Sequence, residues 1–227
     1  MNSTIHNNTG LTIEATVKAA EQLYSHLNGL PFYKHKLRPY ICPFHSLIEL
    51  VPQGASVLDI GCGSGLFASL LAYFGHAKII HGFDASQSAI ETAKTMLSKN
   101  TLLTKKLMFE YRDARKELPE GIFDVVSMID VLHHVPPDAQ AAVIKAASAR
   151  VAPGGILLYK DMVKKPRWRA LANRLHDLVL AREWINYASL NEVKEWAISS
   201  GLKETDAGAC NMLWYGHEWI VMQRPIN

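Results

Sequence analysis

Cysteine is scarce in this 227-residue chain: Cys42, Cys62 and Cys210 are scattered, odd in number and form no CxxC pair. Such spacing supports neither a zinc knuckle nor a disulfide framework, and reduced thiols in a cytosolic protein are its simplest account. Long apolar runs are missing too. No stretch approaches the roughly 20 apolar residues that a membrane span requires. Met1 to Gly10 is polar, without the charged-then-apolar pattern of a secretory leader. The expectation is a soluble cytoplasmic protein with no integral membrane segment. Charge of either sign is not in excess, because 24 Lys and Arg against 21 Asp and Glu leave +3. That is too little to argue for nucleic acid as a partner. The densest basic group, Lys164, Lys165, Arg167 and Arg169, reads as a solvated helix face. There is no internal repeat, no low-complexity tract and no signal of oligomeric state. What remains is globular material, 48% hydrophobic and 20% charged, enough for one good-sized domain with a large core and room for a lid.

Leu11 to Leu27 has helical spacing and stops near Gly29, Leu30-Pro31-Phe32-Tyr33 reads as a loop by its proline, and Pro39 to Leu50 as a short helix ended by Pro52-Gln53-Gly54. From there short apolar runs alternate with helices. Strands are expected at Ser56 to Ile60, Ala77 to Phe83, Leu107 to Tyr111, Phe123 to Ile129 and Ile156 to Tyr159. Between them lie helices from Leu66 to Phe74, from the cap Ser86 to about Ser98, and from Asp138 to Val151, the last closed by Pro153-Gly154-Gly155. Strand–helix alternation implies α/β architecture: a doubly wound, mostly parallel sheet. Ser189-Leu190-Asn191-Glu192 is a capping box for a helix to Ser200. Two strands follow, near Leu202 to Thr205 and Glu218 to Gln223, with no helix between them. A short connection cannot make a parallel crossover, so the last strand should run antiparallel.

The informative segment is Val57-Leu58-Asp59-Ile60-Gly61-Cys62-Gly63-Ser64-Gly65, with three glycines between a strand and a helix. Bare backbone lets a ligand approach the amides, and the helix behind points its positive end at it. The dinucleotide fingerprint is GxGxxG, but Leu66 stands where its last glycine belongs. Gly82-Phe83-Asp84-Ala85-Ser86 puts an acid at the end of the second strand, where such folds receive ribose hydroxyls.

The GxGxG spacing resembles motif I of the class I S-adenosylmethionine-dependent methyltransferases. Phe123 to His134 is similar to the family's fourth-strand motif, and Pro153-Gly154-Gly155-Ile156-Leu157-Leu158 to its post-helix motif. The resemblance covers about Ala55 to Asp161. It implies a seven-stranded Rossmann-like methyltransferase fold with S-adenosyl-L-methionine as cofactor, held by Asp59, Gly61, Cys62, Gly63, Gly65, Asp84, Ala85, Asp113, Ala114, Ile129 and Asp130. Asp113, after the third strand, is placed near the adenine amino group, and the end of the fourth strand borders both cofactor and methyl acceptor. No metal is implied.

Methyl transfer from a sulfonium is an in-line displacement, and positioning can supply roughly 7–11 kcal/mol of the barrier. A base is needed only where the acceptor loses a proton. His133, His134 and Asp161 are the catalytic candidates, with Asp130 and Lys160 nearby; Lys160 and Asp161 could instead pair with each other, and His176-Asp177 is a weaker candidate. Residues 1–54 are expected as a helical lid segment and 55–227 as the methyltransferase domain, with an inserted helical cap at about 162–188. In that cap Trp168, Leu171, Leu175, Leu178, Val179 and Trp184 recur at helical intervals among Arg167, Arg169, Arg174 and Arg182. Closed together with Phe32-Tyr33 and Arg38-Pro39-Tyr40, it would cover a small apolar or aromatic acceptor, quinone-like or lipid-like. The rivals are an NAD-dependent oxidoreductase, against which glycine spacing and the antiparallel strand argue, and a catalytically silent cofactor-binding or regulatory subunit.

Overall fold

The structure is a computed structural model describing residues 10–163 and 186–226. Seven strands form one sheet: β1 (Ala55–Ile60), β2 (Ala77–Asp84), β3 (Leu107–Tyr111), β4 (Phe123–Ile129), β5 (Val151–Met162), β6 (Lys203–Met212) and β7 (Tyr215–Gln223). Their order is β3-β2-β1-β4-β5-β7-β6. β1 to β5 pair in parallel, and β7 is antiparallel to both β5 and β6. The doubly wound sheet with an antiparallel last strand is thus the one expected. Its cause is the two-residue link between Met212 and Tyr215, where Leu213 takes a φ of +53°; a link so short permits only a hairpin. Chain order reverses between β1 and β4, and the crevice outside the carboxyl ends of strands at such a switch point is where ligands bind.

Helices cover both faces. On one lie α1 (Ile13–Leu23), α3 (Phe44–Glu49), α4 (Leu66–Tyr73) and α5 (Gln87–Lys99), whose buried residues form a core with Val57, Val125, Leu158 and Val221. On the other lie α6 (Pro137–Ala149) and α7 (Leu190–Ile198), packed over Leu58, Val126, Leu157 and Ile220. The strands are apolar on both faces because both are covered. Each fully buried Leu, Ile or Val contributes about 1.5–3 kcal/mol. Ser86 caps α5 by accepting from the Ala89 N–H, and the Ser189–Glu192 capping box is complete. No helix among the described residues is long and apolar enough to cross a membrane.

Three local expectations are corrected. Leu30 to Tyr33 is not a loop but part of α2 (Gly29–Leu37). Pro31 sits in the first turn of that helix, where its missing N–H has no helical partner to lose. Pro39 to Leu50 is not one helix: a 3-10 turn at Arg38–Tyr40 precedes Pro43, and α3 starts after it. The alanine-rich helix stops at Ala149, and Pro153-Gly154-Gly155 belongs to β5 rather than to a closing loop. There a side chain on Gly155 would meet the Asp124 carbonyl oxygen at 2.7 Å, so β5 passes this point without one. β6 and β7 are also longer than expected, because most of β6 is an exposed edge without an apolar alternation to mark it.

Candidate functional site

The glycine loop follows β1. Gly61, Gly63 and Gly65 have φ of +67°, +55° and +82°, the left-handed region that side chains rarely adopt. A Cβ on Gly61 would lie 2.5 Å from both Val131 methyls, and one on Gly65 2.6 Å from the Phe109 ring, whereas Gly63 faces open space. The outer glycines therefore let the loop pack, and the middle one leaves open space where a side chain would stand. Phe83 accepts a bond from the Cys62 N–H at 2.9 Å, tying the loop to the end of β2. There Asp84 accepts from the Gly63 N–H at 2.8 Å and from the Ser86 N–H at 2.7 Å. Ala85 is exposed beside it.

Beneath the loop, Asp59 is 2% exposed. One carboxylate oxygen accepts from the Ser127 hydroxyl at 2.6 Å, and the other is buried with no partner among the described residues. Burial, opposed by the Ser127 bond and helped by the nearby Asp84 charge, pushes its carboxyl up to about 7. A buried acceptor oxygen left unpaired is costly, and an ammonium group arriving above the loop would satisfy it. The residues present thus fit the amino-acid end of the expected cofactor.

The N-terminal helices reach the same loop, a contact that no local pattern in the sequence announces. The Tyr24 hydroxyl donates to the Ser64 carbonyl at 2.7 Å, and the His35 ring, stacked on Tyr24 at 4.1 Å between centroids, meets the Ser64 hydroxyl at 2.5 Å. Phe32 is half-buried under Lys36, and Tyr33 is exposed.

At the end of β4, half-buried Ile129 leads into Asp130, whose φ is +55°. Its carboxylate receives the Lys160 ammonium at 2.6 Å and the Arg38 guanidinium at 2.9 Å, with the Cys42 thiol at 3.8 Å. Burial would raise the Asp130 carboxyl, but the Lys160 and Arg38 charges, with a smaller contribution from His133, hold it well below the usual carboxylate range. Burial would likewise lower the Lys160 ammonium, and Asp130 overrides it and raises it. Lys160 and Asp161 do not pair with each other: successive residues of a strand point to opposite faces. On the other face Asp161 accepts from His133 Nδ1 at 2.7 Å, from the Tyr159 hydroxyl at 3.2 Å and from the Met162 N–H at 2.8 Å. The His133 and His134 rings lie 4.2 Å apart, His133 buried and His134 exposed.

Asp113 is bound by Arg115 through both carboxylate oxygens, at 2.9 and 2.7 Å. Those bonds pull its carboxyl down to about 2. Ala114 lines a hollow of about 450 Å³ between the β3–β4 connection and α6. Trp168, Trp184, the four cap arginines and His176-Asp177 lie outside the described residues.

A family model described as a methyltransferase domain matches residues 33–206. The ubiquinone biosynthesis O-methyltransferase of Neisseria meningitidis serogroup C (strain 053442) is 32% identical over 137 residues, which cover 59% of this chain and 52% of that protein. The match thus spans about half of that relative's length. Among solved structures, magnesium protoporphyrin IX methyltransferase from Synechocystis PCC 6803, with bound SAH, superposes with a TM-score of 0.68 at 16% identity, covering 91% of this chain and 93% of that one. The [4+2]-cyclase SpnF superposes with a TM-score of 0.67 at 17% identity, covering 86% and 83%. A cyclase and a methyltransferase match equally well, so these two likenesses speak for the fold alone.

Proposed function

The chain belongs to the class I S-adenosylmethionine-dependent methyltransferases, and from that premise we propose that it methylates an oxygen of a small aromatic, quinone-like acceptor. The observation that carries cofactor use is the buried, half-partnered Asp59 carboxylate under a loop whose middle glycine is open. Asp59 would receive the ammonium of S-adenosylmethionine, the Gly63 and Ser64 region its carboxylate end, and Asp84 its ribose. That cofactor supplies the methyl group on a sulfonium. Oxygen as the receiving atom, and a ring as its carrier, are supported by the O-methyltransferase names of the relatives.

The chain's own work is to hold the acceptor in line and to take its proton. A phenolic hydroxyl must lose a proton on methylation, and the His133–Asp161 pair is suited to remove it. Asp161 accepts from Nδ1, which orients the ring and would stabilise the imidazolium that proton removal forms. The aromatic N-terminal helices and the cap at 162–188 are proposed as the acceptor's cover, in a domain beginning near residue 55.

Calorimetry should show binding of S-adenosylmethionine and its demethylated product and none of NAD; preference for NAD sinks the reading. Asp84→Ala should weaken cofactor binding about ten- to a hundredfold, since bonds to a charged group are worth roughly 1.5–3 kcal/mol. Unchanged affinity in the folded variant removes Asp84 from the ribose. Incubating cell extract with the enzyme and isotopically labelled cofactor should place label on a phenolic oxygen; label on nitrogen or carbon overturns the acceptor reading while leaving the cofactor reading intact.

A further inference from the structure

Gln140 is a buried polar side chain that none of the roles above uses. It stands near the start of α6, an alanine-rich helix, and is 4% exposed. Its side-chain nitrogen lies 3.1 Å from the Leu132 carbonyl oxygen, 3.1 Å from that of Val135 and 2.8 Å from that of Asn186. All three partners are acceptors, so only the NH2 end of the amide can face them. Buried carbonyls need such donors, and a neutral amide supplies them without the cost of burying a charge.

The three carbonyls surround one residue. Leu132 and Val135 bracket the histidine pair, which sits in the 3-10 turn Leu132–His134. Asn186 lies where the chain returns towards α7, and its N–H donates to the His133 carbonyl at 3.2 Å. The next residue, Tyr187, is buried with its ring 5.1 Å from the His133 ring between centroids. From β5, Asp161 accepts from His133 Nδ1 at 2.7 Å. That single bond holds one ring nitrogen; where the ring stands depends also on the backbone that carries it. Gln140 ties that backbone to the segment that brings Tyr187 against the ring.

We infer that Gln140 is a positioning residue for methyl transfer: by joining the His133 turn to the returning chain at Asn186, it sets where the His133 ring stands against the acceptor. This rests on the role proposed above for His133 as the base. Small errors of placement matter in such a step, since a shift of about 1 Å can lower a rate about a hundredfold.

The experiment follows the His133 ring directly. Protein carrying 15N-labelled histidine, saturated with the demethylated cofactor, is examined by NMR, and the His133 ring signals are assigned by their loss in His133→Gln. Methyl transfer from isotopically labelled cofactor into cell extract is measured on the same variants. Gln140→Met fills the space without the donors. It should move the His133 ring signals and lower label transfer roughly ten- to a hundredfold, with cofactor affinity kept. Gln140→Asn keeps the amide on a shorter stem and should fall between it and wild type; if Gln140→Met does not fold, Gln140→Asn decides by the same comparison. The control is Ile144→Ala on the same helix, whose wholly buried side chain leaves a cavity on truncation. It should lower Tm while leaving the His133 signals and label transfer as in wild type. Signals that stay in place in the Gln140 variants, or that move as much in Ile144→Ala, overturn the inference, because Gln140 then only holds the fold. Moved signals with unchanged label transfer overturn it as well. A His133→Gln protein that transfers label like wild type instead condemns the base reading on which the inference rests.

Discussion

Lys160 and Asp161 are neighbours on β5, yet they serve opposite faces of the sheet. Lys160 is wholly buried against Asp130, under the helices that touch the glycine loop. Asp161 is buried against His133, on the α6 and α7 side. The first pair joins two permanent charges at the end of β4, where Asp130 also holds Arg38 and a left-handed backbone. The second joins a carboxylate to a ring whose charge is set by its surroundings. In the proposed function the first arrangement stays fixed and the second exchanges a proton, so that a single strand would separate holding from chemistry by the alternation of its side chains.

Removing one partner from each pair tests this contrast most strongly. Lys160→Met leaves a buried carboxylate with the Arg38 guanidinium and the Cys42 thiol, and breaking a buried pair costs about 3–5 kcal/mol. We expect a loss near the lower figure in urea unfolding, because Arg38 remains, together with weakened cofactor binding. Asp161→Asn keeps the shape and some of the bonds, so about 1–3 kcal/mol is expected, with turnover lost and cofactor affinity retained. Equal effects on cofactor binding in both variants would erase the distinction between the faces.

Asp59 sharpens the comparison through pH. Its folded carboxyl is raised to about 7 from an ordinary 3.8. Below about 4 both folded and unfolded chains carry the proton and no penalty arises. As pH climbs from about 4 towards 7 the unfolded chain ionises first, so this group makes the cofactor-free protein less stable. The loss is on the order of 4 kcal/mol, because each pH unit between the two ionisations carries about 1.4 kcal/mol. Asp59→Asn should flatten that fall in unfolding experiments at pH 5 and pH 8 while weakening cofactor binding. A variant with the wild-type slope, or with undiminished affinity, refutes the role given to the orphaned oxygen.

What could be read in the sequence was local. The glycine loop, Asp84, the Ser86 cap and the Ser189 capping box are each written within a few residues, and each stands where expected. Proline at residue 31 misled, because the same residue marks a loop and suits a first helical turn. The face of Lys160 was hidden, since Leu157, Leu158 and Tyr159 are buried on both sides and leave no polar alternation. Arg38 meets Asp130 across 92 residues, and Tyr24 meets Ser64 across 40. No spacing rule reaches that far; only the packed fold brings them together.

The smallest effect is expected where the N-terminal helices grip the cofactor loop. Tyr24 is fully buried, and burial pushes its hydroxyl well above its ordinary range, so it stays protonated and donates to the Ser64 carbonyl. Tyr24→Phe keeps the ring, its stacking on His35 and the surrounding core, and deletes one bond. That bond is worth about 1 kcal/mol, plus the cost of leaving the Ser64 carbonyl unpaired. If the contact holds the loop in its binding shape, cofactor affinity should fall a few fold, while the Asp161–His133 side keeps its turnover per bound cofactor. Should the loss instead appear wholly in unfolding stability, with affinity unchanged, Tyr24 is a core residue that happens to lie near the loop, and the coupling of this face to cofactor binding rests on Lys160 and Asp130 alone.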